Sequence, residues 1–221
     1  MMTLRPKGLM TSQPDDILRR VSAYYSAKVR EFGPTPRGAD WKDRESQNTR
    51  FEQLAKVTRG ARSGSLAELG CGWGAFADWA PKHDFDLDYT GYDISDDMLA
   101  AAKARFKNVP RVSFRLGPRP TEPADFVIAS GIFNVRFDIS DAAWLAYVDR
   151  TIGEMAASAR KGFAFNCLTN FSDFDRKEAR LFYAYPGEMF DRCVRLHGGH
   201  GVLLQDYGLY EFTVLIWKNL E

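Results

Sequence analysis

The sequence has few cysteines and no long apolar run. Its three cysteines, Cys71, Cys167 and Cys193, form neither a CxxC pair nor a zinc-type spacing, which favours a reducing compartment over a disulfide framework. No stretch approaches the 18 or so apolar residues that a membrane-spanning helix needs. The first residues also lack the continuous apolar segment of a secretory signal. We therefore expect a cytoplasmic protein.

An excess of charge of either sign is absent too. Thirty Lys and Arg residues against 29 Asp and Glu residues leave a net charge of +1, which argues against nucleic acid bound through bulk charge. The chain has 221 residues, of which 45% are hydrophobic and 14% aromatic. A chain of this length and composition can bury a full core by itself, and wholesale disorder is excluded. A homodimer stays open at this point.

Short apolar runs alternate with helix-like stretches after residue 60. Seven such runs lie at 65–69, 89–94, 112–116, 126–130, 163–168, 202–205 and 209–217. The alternation predicts an α/β fold in which a mostly parallel sheet carries helices on both faces. The last two runs are too close together for a parallel crossover, so we expect them to form a terminal antiparallel hairpin.

The N-terminal part of the chain predicts helices instead of strands. Apolar residues keep a helical period from Pro14 to Phe32, and a second helix is expected from Ser46 to about Thr58. We therefore divide the chain into an N-terminal helical cap at 1–60 and a single compact domain at 61–221.

A glycine-rich turn follows the first predicted strand. Such a turn lets backbone N–H groups approach a ligand closely. Glu68 precedes the turn by two residues, where its charge would repel a pyrophosphate and attract a ligand that carries an ammonium and a sulfonium group. A strand-end ion pair is the alternative role for Glu68. The candidate ligand-binding residues of the turn are Gly70, Cys71, Gly72 and Gly74.

A second acidic residue, Asp93, ends the second predicted strand, 19 residues after Gly74. An acid at this position is placed to accept hydrogen bonds from both hydroxyls of a ribose. The alternative role is the N-cap of the helix that follows, which Ser95 or Asp96 suits better.

These segments resemble the class I S-adenosylmethionine-dependent methyltransferases over about residues 50–217. AELGCGWGAF at 67–76 is similar to the family's glycine-rich motif, TGYDIS at 90–95 to its second motif, and ADFVIASGIFN at 124–134 to its fourth-strand motif. The resemblance implies a seven-stranded Rossmann-like sheet and S-adenosylmethionine as the cofactor. It also implies that the glycine turn lies against the methionine portion, that Asp93 holds the ribose, and that Ile94 and Met98 flank the adenine.

The third strand is followed by LGPRP at 116–120, without the acid that often binds the adenine amino group in this family. The adenine contacts therefore stay open. FGPTPRGADW at 32–41 and SQNTRF at 46–51 are similar to N-terminal segments of bacterial methyltransferases from surface-polysaccharide or secondary metabolism. We expect Trp41, Gln47 and Arg50 to cover the crevice, with Arg50 on the methionine carboxylate; a solvated surface arginine is the alternative. Tyr24 and Tyr25 could add an aromatic wall or belong to the core.

The residues that follow the fourth and fifth strands are candidates for ligand contacts, because the crevice of such a sheet lies at the carboxyl ends of its strands. We assign Ser130 to the cofactor. The amides among the acceptor candidates could instead form turns or bond to neighbouring backbone. The acceptor candidates, the last two in a predicted lid at 171–190, are Phe133, Asn134, Asn166, Asn170, Tyr183 and Tyr185.

The leading hypothesis is a methyltransferase that acts on a small molecule, such as a sugar, a sugar nucleotide or a natural-product intermediate. No general base is evident, and methyl transfer from an activated donor depends mainly on alignment of the acceptor. His197 and His200 flank two glycines that supply no rigidity, so we predict no metal site. Two alternatives are a nicotinamide-dependent oxidoreductase, which Glu68 and the terminal hairpin oppose, and a non-catalytic cofactor-binding subunit.

Overall fold

The computed structural model describes residues 14–218, in which helices flank one mixed sheet. The beginning of the predicted cap (1–13) and the end of the predicted domain (219–221) lie outside the described residues. The α-helices are α1 (Pro14–Phe32), α2 (Arg44–Ala55), α3 (Ala75–Trp79), α4 (Asp96–Arg105), α5 (Asp141–Ser158) and α6 (Pro186–His197). The strands are β1 (Ser63–Leu69), β2 (Asp86–Asp93), β3 (Val112–Leu116), β4 (Ala124–Ala129), β5 (Ala159–Thr169), β6 (Tyr183–Ala184), β7 (His200–Leu204) and β8 (Glu211–Trp217).

The sheet has the order β3-β2-β1-β4-β5-β8-β7, with β6 paired to β5 off this path. The first five strands run parallel, β8 is antiparallel to β5, and β7 is antiparallel to β8. The predicted parallel core with a terminal antiparallel hairpin is therefore confirmed. The structure adds β6, whose two residues are too few to show an apolar period in the sequence.

Apolar side chains leave the sheet on both faces and build two cores. Val127 and Ala129 of β4 belong to the core that α5 and α6 cover, whereas Phe126 and Ile128 belong to the core that α2, α3 and α4 cover. Because successive residues of a strand point to opposite faces, a strand covered on both sides is apolar at nearly every position. This explains why β4 is recognisable in the sequence as a continuous apolar run.

Helix α2 of the predicted N-terminal cap contributes buried side chains to one of these cores. Asp43 accepts a hydrogen bond from the backbone N–H of Ser46 at 2.8 Å and caps the helix, which starts at Arg44 rather than at the predicted Ser46. Phe51 and Leu54 from this helix are buried against the sheet. Among the described helices, none is both long and apolar enough to cross a membrane.

Candidate active site

A cleft opens at the carboxyl ends of β1, β2 and β4. With the solvent-open space at its mouth it measures about 710 Å³, and a smaller recess, measured in the same way at about 290 Å³, adjoins it. Five residues line both spaces: Ala39, Trp41, Gly70, Gly72 and Ser130.

The glycine-rich turn forms the floor between the cleft and the recess. Gly70 and Gly72 have φ values of 66° and 54°, a left-handed conformation that glycine adopts without steric cost. Cys71 between them lines the recess, and burial raises the pKa of its thiol well above the usual value. Gly74 lines neither space. A Cβ on Gly74 would lie 2.8 Å from Cε2 of Phe106, so this third glycine makes room for packing beneath the turn.

Asp93 lies at the end of β2 and lines the cleft. Its Oδ2 accepts a hydrogen bond from the N–H of Gly72, and its Oδ1 accepts one from the N–H of Ser95, both at 2.8 Å. Burial raises the pKa of this carboxyl group, while the backbone hydrogen bonds oppose the rise. Each oxygen retains acceptor capacity for a ligand hydroxyl. Ser95, and not Asp93, caps α4, since its hydroxyl accepts from the N–H of Met98 at 3.2 Å.

Glu68 lines the recess and is 2% exposed. Its carboxyl group accepts a hydrogen bond from the hydroxyl of Tyr89, and burial raises its pKa to about 8. Tyr89 is the one side-chain partner of this carboxyl group within residues 14–218, so the strand-end ion pair considered above is not observed. The recess therefore contains a buried acid that has an acceptor atom and no cation beside it.

Ser130 and Gln47 add polar groups to the same walls. Ser130 follows β4, and its buried hydroxyl oxygen has no hydrogen-bond partner in the described part of the chain. Gln47 on α2 is buried and lines the recess. A buried polar atom without a partner is unusual in a native protein and indicates a place for a ligand or water. Gln47 is one of the three residues that the sequence analysis places over the crevice, and the recess is the space that it lines.

Arg50 lies elsewhere than predicted. Its Nε is 3.0 and 2.9 Å from the two carboxylate oxygens of Glu211, and its Nη2 is 2.6 Å from one of them. The guanidinium group thus has a carboxylate partner inside the protein and lines neither the cleft nor the recess. At 8% exposure it is not a solvated surface arginine either.

The far end of the cleft is formed by Ile94 and Met98 together with the stretch after β3. Gly117 and Pro118 of that stretch line the cleft, and the N–H of Gly117 donates to the backbone oxygen of Asp93 at 2.9 Å. Backbone groups and apolar side chains therefore occupy the place where an acid is missing.

Helix α1 of the predicted cap and helix α5 contribute to an apolar wall of the cleft. Leu18, Val21 and Tyr25 of α1 line the cleft, as do Ile132 and Tyr147. Of the two tyrosines for which the sequence left a wall or a core position open, Tyr25 lines the cleft and Tyr24 does not. The helical period of α1 indicated an apolar face at Leu18 and Val21 without indicating that this face covers a cleft.

The six predicted acceptor residues line neither the cleft nor the recess. Phe133 is fully buried, with its ring 5.6 Å from that of Phe165 in an edge-to-face contact. Asn166 is also fully buried, and its amide bonds to the N–H of Gly131 and to Glu211. Asn134 is buried in the turn after β4, where its Oδ1 has no partner in the described residues.

Of the other three, Tyr183 and Tyr185 lie in the predicted lid, and Asn170 directly precedes it. Asn170 accepts a hydrogen bond from Nζ of Lys177 at 3.1 Å, and the Tyr183 hydroxyl accepts one from a backbone N–H at 3.0 Å. Tyr185 is 54% exposed and directly precedes α6. The last residues of the predicted 171–190 lid therefore belong to this helix.

Comparison with known proteins identifies the chain. A family model described as "Methyltransferase domain" matches residues 67–162. A relative named "Putative methyltransferase Rv1506c" from Mycobacterium tuberculosis (strain ATCC 25618 / H37Rv) is 42% identical over 163 residues, which cover 74% of this chain and 98% of the relative. The chain belongs to the methyltransferase family. The resemblance to the class I enzymes is thereby confirmed, and S-adenosylmethionine is the methyl donor of this family.

Solved structures of methyltransferases share the fold. A magnesium protoporphyrin IX methyltransferase from Synechocystis PCC 6803 with bound S-adenosylhomocysteine has a TM-score of 0.63 at 13% identity, over 91% of this chain and 99% of that chain. The DhpI–S-adenosylhomocysteine complex has a TM-score of 0.60 at 17% identity, over 90% and 95%. In the described part of this methyltransferase, no group of three or more His, Cys, Asp or Glu residues is arranged to hold a metal ion.

Proposed function

We propose that this methyltransferase moves a methyl group from S-adenosylmethionine to a small-molecule acceptor in the cleft, mainly by positioning. The observation that carries the proposal is the pair of buried carboxyl groups, Glu68 and Asp93, at the ends of neighbouring strands beside Gly70 and Gly72. The raised pKa of Glu68 describes a recess without a cation, and a ligand with an ammonium group there would favour the ionised carboxylate. A dinucleotide phosphate at the same place would oppose that ionisation.

The residues of the two spaces fit the donor. Asp93 has free acceptor capacity for ribose hydroxyls, and Ile94 and Met98 offer an apolar surface for the adenine. Glu68 gives the recess an acid for the ammonium group, and the unpartnered hydroxyl of Ser130 offers a further polar contact. The donor supplies a methyl group on a sulfonium, which is already activated for displacement.

The lining of the cleft supports a small, partly apolar acceptor. The wall contributed by Leu18, Val21, Tyr25, Ile132 and Tyr147 is largely apolar. Together with the balanced net charge, this supports a natural-product intermediate over a nucleic acid and over a free sugar.

The titratable groups of the apolar wall do not provide a base. Burial raises the pKa of Tyr147 to about 12 and raises that of Tyr25 as well, so both hydroxyls stay protonated at neutral pH. Tyr25 and Tyr147 can orient an acceptor by donating hydrogen bonds, and the apolar side chains around them exclude water. These residues therefore act by alignment rather than by proton abstraction.

The test is calorimetric titration of the purified protein with S-adenosylhomocysteine, with NAD as the control ligand. We expect micromolar affinity for the first and no heat for the second. An enzyme that binds S-adenosylhomocysteine is then incubated with S-adenosylmethionine and a panel of hydroxylated and aminated small molecules, and methylated product is measured by mass. Binding of NAD, or of neither ligand, would contradict the proposed donor site.

A further inference from the structure

Side chains from both ends of the chain form a closed ring of contacts beside the recess. Arg50 of α2 binds Glu211 of β8, and Glu211 accepts a hydrogen bond from Nδ2 of Asn166 on β5 at 2.5 Å. Asn166 in turn accepts one from the N–H of Gly131 at 2.8 Å. Trp41 closes the ring, because it packs against both Gly131 and Arg50. We refer to Arg50, Glu211 and Asn166 as the polar network.

The side chains of the polar network are largely shielded from solvent. The side chains of Arg50 and Glu211 are 10% and 1% exposed, and Asn166 is fully buried. A buried ion pair is poor evidence for stability by itself, because the cost of desolvation commonly cancels the attraction and an apolar replacement is often as stable. Its bidentate geometry does restrict direction, since a planar guanidinium that meets both carboxylate oxygens is held in one orientation. The network is therefore better explained by what it holds in place.

One end of the polar network holds the aromatic side chain of the wall. Cζ of Arg50 lies 4.1 Å from the centroid of the Trp41 ring, which is a close cation–π distance. Trp41 lies between a short 3-10 helix at Pro36–Ala39 and α2. It belongs to no helix or strand that would restrain its side chain. The stacked guanidinium supplies the missing restraint.

The other end holds the backbone that Trp41 packs against. Gly131 has φ 72°, and a Cβ built on it would lie 2.2 Å from Cη2 of Trp41. The N–H of Gly131 is bound to Asn166, so the polar network sets the position of the turn that also carries Ser130. Trp41 and Ser130 line both the cleft and the recess. The polar network thus reaches both sides of the shared wall.

We propose that Arg50 and Glu211 are positioning residues that set the affinity of the donor site by fixing Trp41 and the Gly131 turn as its wall. The inference rests on the proposed function, since it needs the cleft and recess to be the donor site. Arg50 acts through Trp41, and Glu211 acts through Asn166 and Gly131. Neither touches the donor.

The first test compares Arg50→Lys and Glu211→Gln with the wild-type protein in S-adenosylhomocysteine titrations. Lysine keeps the charge and loses the bidentate, stacked geometry; glutamine keeps the shape and loses the charge. We expect both variants to raise the dissociation constant by about tenfold or more. Arg115→Lys and Glu122→Gln, which alter an exposed ion pair, are the matched controls and should bind as wild type does.

The second test separates positioning from general stability. Trp41→Phe is combined with Arg50→Lys, and the dissociation constants of the single and double variants are compared. If Arg50 acts through Trp41, the effect of the double variant is smaller than the product of the two single effects. The tryptophan emission that disappears in Trp41→Phe should also shift in Arg50→Lys. A lowered melting temperature with unchanged affinity, or fully independent effects, would overturn the proposal.

Each failure can be told apart. Absence of S-adenosylhomocysteine binding in the wild type contradicts the proposed function, whereas wild-type binding with unaffected variants contradicts the positioning role alone. Should the buried-charge variants fail to fold, Gly131→Ala tests the opposite end of the ring without touching the ion pair. It should weaken binding because the new methyl group displaces Trp41; unchanged affinity in that variant would overturn the role of the wall.

Discussion

Tyr89 donates a hydrogen bond to Glu68 from the neighbouring strand, and both side chains are almost completely buried. Burial raises the pKa of the Glu68 carboxyl group to about 8, against 4.5 for an ordinary glutamate, while the hydrogen bond from Tyr89 opposes the rise. Between these two values the unfolded chain is ionised at this position and the folded, ligand-free protein is not. Stability therefore falls as the pH rises through this range, by about 1.4 kcal/mol per pH unit from this group.

Glu68→Gln should remove this dependence. We expect the variant to gain stability over the wild type as the pH rises from 5 to 8, because the wild type increasingly resists burial of an ionised group. Denaturant unfolding of the ligand-free proteins at several pH values measures it, with the exposed Glu52→Gln as control. The same substitution should weaken S-adenosylhomocysteine binding. A stability difference that stays constant with pH would refute the explanation.

Asp93→Asn should weaken S-adenosylhomocysteine binding by about 1.5–3 kcal/mol, the usual worth of hydrogen bonds to a charged group. The amide also turns a donor toward the N–H groups of Gly72 or Ser95 that the carboxylate now accepts. Asp86→Asn is the matched control, since Asp86 begins the same strand and pairs with an arginine at the surface. Calorimetry measures the affinities, and equal affinities for the two variants would exclude the ribose role.

The glycine turn and Asp93 could be located from the sequence because their signals are local. Each follows an apolar strand within a few residues, and the carboxyl ends of parallel strands meet at one edge of the sheet. The partner of Arg50 could not be inferred from the sequence, because Glu211 lies 161 residues away. Phe133 follows β4 just as Ser130 does, and only the packing of α5 decides that its ring enters the core.

Gly70→Ala should damage both the fold and the donor site. Gly70 has φ 66°, and a Cβ there would lie 2.3 Å from Cγ2 of Ile132, a residue of the cleft wall. Gly60 has φ 85° with nothing within 4 Å of such a Cβ, so Gly60→Ala carries only the backbone cost of about 1–2 kcal/mol. We expect a larger loss of melting temperature and weaker binding for Gly70→Ala. Equal losses of melting temperature and affinity in the two variants would show that Ile132 moves aside at no cost in free energy.

Asp40→Asn should loosen the segment between β5 and α6. Asp40 accepts a hydrogen bond from Tyr24 at 2.6 Å and forms ion pairs with Lys28 at 2.9 Å and Arg180 at 3.4 Å, which connects α1 to that segment. We expect faster proteolytic cleavage at 171–184 in the variant. Asp138→Asn, which removes an ion pair between α1 and an exposed carboxylate, is the control, and equal cleavage rates would contradict the connection.

The carboxyl group of Asp40 makes the connection between α1 and the segment before α6 dependent on pH. Burial raises the pKa of Asp40, but the hydrogen bonds from Lys28 and Tyr24 outweigh that effect and hold it below the usual value. The stabilisation is present above the pKa of an unfolded aspartate and is lost as the pH falls through the lower, folded value. The difference in cleavage rate between wild type and Asp40→Asn should therefore disappear in strongly acidic solution, where Asp40 is protonated. A difference that persisted there would show that the charge of Asp40 is not its cause.

The insertion of β8 between β5 and β7 has a consequence for how the protein is made. Glu211, at the start of β8, binds both Arg50 and Asn166. Both of these residues are synthesised before Glu211. Until residue 211 has been synthesised and β8 has entered the sheet, Arg50 and Asn166 lack their carboxylate partner. A nascent chain that already contains the glycine turn and Asp93 therefore still lacks part of the proposed wall, which is completed only when β8 joins the sheet.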